Sequence, residues 1–100
     1  MYVYNTTFLV KNSRFEQWRE FIDRELTPLF TDELGFSEPT LMRIHCPTEE
    51  GHTSFAYQIK AQNMKQIERW QTLYETPFKN RLFQIFGEEA LPFSTIMEII

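Results

Sequence analysis

The order in which helical and strand-like segments alternate is the feature that most constrains the fold of this chain. Two segments with a helical spacing of apolar residues separate strand-like segments rich in β-branched and aromatic residues. The predicted strands are residues 2–10, 40–46, 52–61 and 91–100. This β-α-β-β-α-β order predicts an α+β fold of the ferredoxin-like, split βαβ kind. Right-handed crossovers then give an antiparallel four-stranded sheet of order 4-1-3-2 with both helices on one face.

The first helical segment has a recognisable start and an ill-defined end. Ser13 precedes Glu16 by three residues, a spacing typical of a capping box at the start of a helix. The apolar stripe should fade between Pro28 and Phe30, so we expect a loop over residues 31–39. The stripe itself consists of Phe15, Trp18, Ile22, Leu26 and Leu29.

The second helical segment is predicted to begin at Met64, because Asn63 is a good N-cap residue. Pro77 lies inside this segment and should interrupt the helix after Glu75, since proline lacks the N–H that a helix interior needs. Gly87 is the expected end. The buried stripe comprises Ile67, Trp70, Tyr74, Phe78, Leu82 and Phe86.

Length and charge limit the possible partners and the location. One hundred residues predict a single domain over residues 1–100. The net charge is −4, and Lys and Arg are scattered singly, which disfavours nucleic acid and anionic membranes as partners. The lone cysteine cannot form an internal disulfide, the first ten residues do not resemble a signal peptide, and no apolar run approaches about 18 residues. We therefore expect a cytoplasmic protein without a membrane partner.

Both faces of the predicted sheet carry large apolar side chains. If the hairpin pairs symmetrically about residues 47–51, one face holds Leu41, Arg43, His45, Phe55, Tyr57 and Ile59, and the other holds Met42, Ile44, Cys46, His52, Ser54, Ala56 and Gln58. Two helices can cover only one face, and a half-exposed antiparallel sheet normally alternates apolar and polar residues. We therefore expect a homodimer formed through the uncovered sheet face. A monomer with a few exposed aromatic side chains is the alternative.

Metal and cofactor chemistry has little support in the residues. The chain has two His and one Cys, whereas a zinc site needs three or four protein ligands. Cys46 and His52 could share a face, with Glu49 and Glu50 adding oxygens, but the spacing matches no known ligand pattern. His45 and Cys46 are adjacent in a strand and should point to opposite faces, and we interpret Cys46 as a small buried residue. We expect neither a metal nor any other cofactor.

The candidate catalytic or binding residues are Arg43, His45, Tyr57 and Asn5. Arg43 and His45 are two residues apart on one predicted strand, so both side chains should point the same way beside Tyr57, with Asn5 nearby. A cation next to an imidazole can hold a carboxylate or poise a general base. The alternative is that Arg43 pairs with an acid at a sheet edge or dimer interface, and that His45 is a surface residue.

Three stretches, MYVYNTTF, FAYQ and the closing FGEEALPFSTIMEII, resemble a small bacterial family of domains of unknown function over the whole chain. The closing block is the most specific part, with Phe86, Gly87, Leu91, Phe93, Thr95, Met97 and Ile100. The resemblance implies an architecture similar to the dimeric α+β barrels, in which two ferredoxin-like sheets face each other. It implies no reaction, because the family has no assigned activity.

The chain can be compared with the haem-degrading monooxygenases, which the resemblance places in the same superfamily. They pair a strand Asn and a helical Trp with a His that ligates iron. Asn5 and Trp70 match in type and approximate place, but Leu82 stands about where the His would fall. The resemblance therefore argues against haem chemistry. Trp70 lies on the apolar stripe and is predicted to be a core residue.

Two functional hypotheses remain open. The first is a non-catalytic cytoplasmic homodimer that binds a small ligand between helices and sheet or acts as an interaction module. The second is a cofactor-independent enzyme, oxygenase-like or isomerase-like, that uses Arg43, His45, Tyr57 and Asn5. A pocket where Arg43 and His45 converge would favour the enzyme, and a filled core with both at its rim would favour the module.

Overall fold

Four strands form one antiparallel sheet in the computed structural model, which describes residues 1–100. Across the sheet the order is β2-β3-β1-β4, which is the predicted 4-1-3-2 order read from the other edge. The α+β fold class and the ferredoxin-like order of elements predicted from the sequence are therefore confirmed. The strands are β1 (Tyr2–Lys11), β2 (Ser37–Ile44), β3 (His52–Ala61) and β4 (Ala90–Glu98).

The first helical segment is longer than its apolar stripe indicates. It comprises α1 (Phe15–Phe21) and two π-helical turns, Ile22–Leu26 and Leu29–Glu33. The predicted end near Pro28 was wrong, and so was most of the predicted loop. The N–H of Thr27 donates to the carbonyl of Ile22, five residues back. This wider turn precedes Pro28, which has no N–H to donate, and lets the helix continue past it.

The start of α1 also differs from the prediction. A short 3₁₀ turn, Asn12–Arg14, leads into the helix, and Arg14 occupies the N-cap position, where its side chain does not cap the first N–H groups of the helix. The capping box of Ser13 and Glu16 is therefore not formed. Arg14 instead places its guanidinium over the ring of Phe86, 4.6 Å from the ring centroid.

The second helical segment comprises α2 (Met64–Trp70), a π-helical turn (Gln71–Glu75) and α3 (Thr76–Phe86). The Asn63 side chain accepts from the N–H of Gln66 at 3.1 Å, which confirms the predicted N-cap. The α-helical pattern is interrupted just before Pro77, as predicted, but the backbone stays helical and the segment is not divided. At its end Gly87 has a φ of +57°, which other residues rarely adopt.

The predicted hairpin register is confirmed, because Leu41 pairs with Tyr57 and Arg43 with Phe55. The bounds of β2 differ from the prediction at both ends. It starts at Ser37, with an irregularity in pairing before Thr40. It ends at Ile44, so the two residues that follow lie in the loop and not on the sheet. One of them, Cys46, is exposed, and its interpretation as a buried residue was wrong.

Aromatic side chains fill the space between the helices and the sheet. The face of the sheet that the helices cover carries Tyr4, Phe8, Val10, Phe55, Tyr57 and Ile59. Trp70 is 3% exposed, and its ring centroid lies 4.2 Å from that of Phe30. Phe8 packs against Trp18 with the ring centroids 5.2 Å apart. Trp70 thus occupies the core position that its place on the stripe predicts.

Candidate functional site

The face of the sheet away from the helices, called the open face below, is apolar and almost without charge. Alternate residues of each strand point to it: Val3, Asn5, Thr7 and Leu9 of β1, Leu91, Phe93, Thr95 and Met97 of β4, Ser54, Ala56 and Gln58 of β3, and Thr40, Met42 and Ile44 of β2. Charged side chains stand only towards its ends, where Lys60 pairs with Glu38 and Lys11 pairs with Glu89, each at 3.2 Å. Depletion of charge is characteristic of the buried part of protein–protein interfaces.

Asn5 lies in the middle of the open face, between Gln58 on one side and Thr95 on the other. Its Nδ2 donates to Oγ1 of Thr7 at 3.2 Å. Its Oδ1 is buried by its neighbours and has no hydrogen-bond partner in the chain. An unsatisfied buried acceptor costs roughly 1–3 kcal/mol. The open face therefore contains a buried acceptor that no group of the chain satisfies.

The four residues that the sequence suggested as a site do not meet. Asn5 points to the open face, whereas Tyr57 points to the helices, where its hydroxyl is hydrogen-bonded to that of Thr27 at 2.7 Å. Burial raises the pKa of the Tyr57 hydroxyl. Only Arg43 and His45 line a common cleft. A catalytic arrangement of all four is therefore absent from the single chain.

The cleft that holds Arg43 and His45 lies beside the β2–β3 hairpin loop and has a volume of about 410 Å³. Its lining includes His52 and the two hydroxyl residues Thr48 and Thr53, and it contains no acidic side chain. Arg43 forms no ion pair within the chain, and its guanidinium lies 5.7 Å from the ring centroid of Phe55. This cleft offers cationic and hydroxyl groups, which suit a small anion.

A second cleft, which the sequence analysis missed, lies between the π-helical turn of Gln71–Glu75 and β4. Its volume is about 380 Å³. The hydroxyl of Tyr4 donates to Oε2 of Glu75 at 2.8 Å. The other carboxylate oxygen accepts from Nζ of Lys79 at 3.4 Å. Opposite them, the hydroxyls of Thr6 and Ser94 are 3.1 Å apart.

Burial shapes the electrostatics of this second cleft. Burial, reinforced by the Glu75 carboxylate, raises the pKa of Tyr4 to about 12, although Ser94 and Trp70 act in the opposite direction. Tyr4 therefore stays protonated at neutral pH and serves as a donor. Nε1 of Trp70 is buried close to the Tyr4 hydroxyl, although no well-formed hydrogen bond joins the two groups. Only the spacing of Glu75 and Lys79 was visible in the sequence, because Tyr4 lies 71 residues from Glu75.

No group of three or more His, Cys, Asp or Glu side chains is arranged to hold a metal ion. None of the helices is both long enough and apolar enough to cross a bilayer.

The order of the elements and of the strands defines a small α+β domain with ferredoxin-like order. Its core is filled, one face of its sheet is open, and two clefts lie at its surface. The chain belongs to the family described as Domain of unknown function (DUF4286), whose sequence model matches residues 1–100. The predicted resemblance to an uncharacterised domain family is thereby confirmed. No curated protein and no solved structure matches the chain.

Proposed function

We propose that this domain is a cytoplasmic homodimeric module without catalysis, in which the open faces of two chains pack together. The observation that carries the proposal is the apolar content of the open face. Phe93 keeps 71% of its surface exposed there, and Leu91, Met97 and Met42 are also exposed. Several exposed apolar side chains on one face of a domain indicate a surface that binds another protein, whereas single exposed ones do not.

The size of the open face suits a dimer. The chain measures 37 × 29 × 17 Å, so its broad sides are the sheet and the helical layer. Four strands about 4.8 Å apart and about nine residues long, at about 3.3 Å per residue, give a flat area of roughly 400–600 Å². Corrugation by side chains increases the accessible area toward the roughly 800 Å² per partner of a standard interface.

Charge favours a second copy as the occupant. Two chains of net charge −4 repel each other over most of their surfaces. The middle of the open face has no acidic side chain, and the carboxylates at its ends, Glu38 and Glu89, are paired with Lys60 and Lys11, so an isologous contact there brings no unpaired carboxylates together.

A small-ligand role belongs to the hairpin-end cleft in this proposal. Arg43 is free of ion pairs, and no acidic side chain lines the cleft, so a carboxylate or a similar anion is the expected ligand class. The competing reading, a cofactor-independent enzyme, has less support because Tyr57 and Asn5 lie elsewhere. Arg43 and His45 do share a cleft, as the enzyme hypothesis requires, but they stand outside the filled core and without the other two candidate residues, which supports binding over catalysis.

Light scattering tests the dimer. We expect the parent chain at micromolar concentration to give twice the 12.1 kDa of one chain. Phe93→Lys should give the single-chain mass, because it places a charge in the apolar contact. Phe83→Lys is the matched control, since Phe83 is a similarly exposed phenylalanine on α3. A parent of single-chain mass, or a dimer lost in Phe83→Lys and kept in Phe93→Lys, would contradict the proposal.

A further inference from the structure

We propose that the cleft between the π-helical turn and β4 binds a zwitterionic α-amino acid with an apolar side chain. This inference goes beyond the proposed dimer and does not depend on it. The groups that carry it are Tyr4, Glu75, Lys79 and Ser94 at the polar end, and Pro92 and Ile96 along the wall.

The polar end presents one negative and one positive group side by side. Oε2 of Glu75 is engaged by the Tyr4 hydroxyl at 2.8 Å, whereas Oε1 is held only by Lys79, at a long 3.4 Å. An ion pair of this length with both partners partly exposed stabilises little. An ammonium can therefore replace Lys79 at Oε1, and the released Lys79 can pair with a carboxylate. The charges match a zwitterion and neither a simple amine nor a simple acid.

The rest of the lining suits an apolar amino acid. Pro92 and Ile96 form a wall next to the charged pair, where an aliphatic or aromatic side chain can be buried. The Ser94 hydroxyl, which is hydrogen-bonded to Thr6, and the Gln71 amide also line the cleft and can supply further hydrogen bonds to a carboxylate. A volume of about 380 Å³ is within the range of small-molecule sites and exceeds what one amino acid needs.

The helix that borders the cleft has an irregular backbone. The helix adopts its π turn over Gln71–Glu75, the residues that border the cleft, and such turns are frequent at functional sites. The turn positions Glu75 at the Tyr4 hydroxyl.

Titration of the ¹⁵N-labelled chain with three related probes tests the charge requirement. The probes are L-phenylalanine, 2-phenylethylamine, which lacks the carboxylate, and 3-phenylpropionate, which lacks the ammonium. We expect saturable shifts of the Gln71, Glu75 and Ser94 amides with L-phenylalanine, and a dissociation constant at least about tenfold larger for each of the other probes. The absence of saturable shifts, or equal binding of the amine or the acid, would overturn the proposal.

Variants locate the site. Glu75→Gln keeps an acceptor for Tyr4 and should fold, but it should weaken L-phenylalanine binding at least about tenfold, as should Lys79→Gln. Glu20→Gln is the matched control, because Glu20 also forms an exposed ion pair with a residue four positions on, Arg24 at 3.1 Å. Its binding should equal that of the parent. Unchanged binding in Glu75→Gln, or an equal loss in Glu20→Gln, would overturn the assignment to this cleft.

Discussion

Both faces of the sheet carry large apolar side chains, but these side chains differ sharply in burial. Beneath the helices, Phe8 and Ile59 are fully buried, whereas on the open face Phe93 and Met97 are substantially exposed. Burial of apolar surface against the helices stabilises the single chain. The open face contributes no comparable burial within one chain. The comparison teaches that folding of one chain draws on one side of the four strands and leaves the other side for the proposed dimer.

The largest expected effect lies on the covered side. Trp70→Ala should lower the free energy of unfolding by about 3–5 kcal/mol, because it removes a large buried aromatic side chain. Chemical denaturation of the variant and the parent measures the difference. Leu73→Ala is the control, because Leu73 is three residues away on the same helical segment and is half exposed. This substitution should change the free energy of unfolding by no more than about 0.5 kcal/mol.

A loss under about 1 kcal/mol in Trp70→Ala, below the range for core aromatics, would contradict the core role of Trp70. That outcome would fit a Trp that lines a ligand cavity. It would also remove the contrast between the covered face and the open face.

A smaller effect on the covered side is a loss of stability at alkaline pH, when Tyr4 ionises. The pKa of Tyr4 is raised to about 12 in the folded chain, whereas the unfolded chain releases this proton near pH 10. The stabilisation from this group is therefore complete below about pH 10 and is lost as the pH rises toward about 12, by roughly 2–3 kcal/mol. In Tyr4→Phe this part of the loss should be absent.

Urea denaturation of both proteins across that pH range measures the two slopes. The comparison concerns the slope and not the level, because Tyr4→Phe also removes the hydrogen bond to Glu75 at every pH. Parallel pH curves for the parent and Tyr4→Phe would show that the hydroxyl is not buried in the way the structure describes.

The sequence predicts most of the fold because the information is local. Strand and helix periodicity fixes the element order, and a short hairpin loop fixes the pairing of Arg43 with Phe55. The helical segments around Pro28 and Pro77 were harder to predict, since a π turn has no residue signature comparable to a cap. Tertiary packing decided there, and it overrode the local rule that proline ends a helix.

The candidate sites were less predictable because they depend on pairing between distant segments. Asn5 pairs with Gln58, so it shares a face with that residue and not with Tyr57. A one-residue change of register between β1 and β3 would have placed Asn5 opposite Tyr57 and on its face of the sheet, and the sequence does not fix that register. The contact of Tyr4 with Glu75 joins the first strand to a helix 71 residues later. No local pattern marks such a pair.

The open face is tested most directly at two neighbouring residues of β4. Ile96 and Met97 are 39% and 40% exposed, but Met97 points to the open face and Ile96 to the helical side. Sedimentation equilibrium should show that Met97→Lys weakens the dimer at least about tenfold, or about 1.4 kcal/mol, because a lysine would enter an apolar contact. Ile96→Lys should leave the dimer unchanged, and its lysine would lie near Glu75. Equal effects of the two substitutions, or a larger one for Ile96→Lys, would contradict association through the open face.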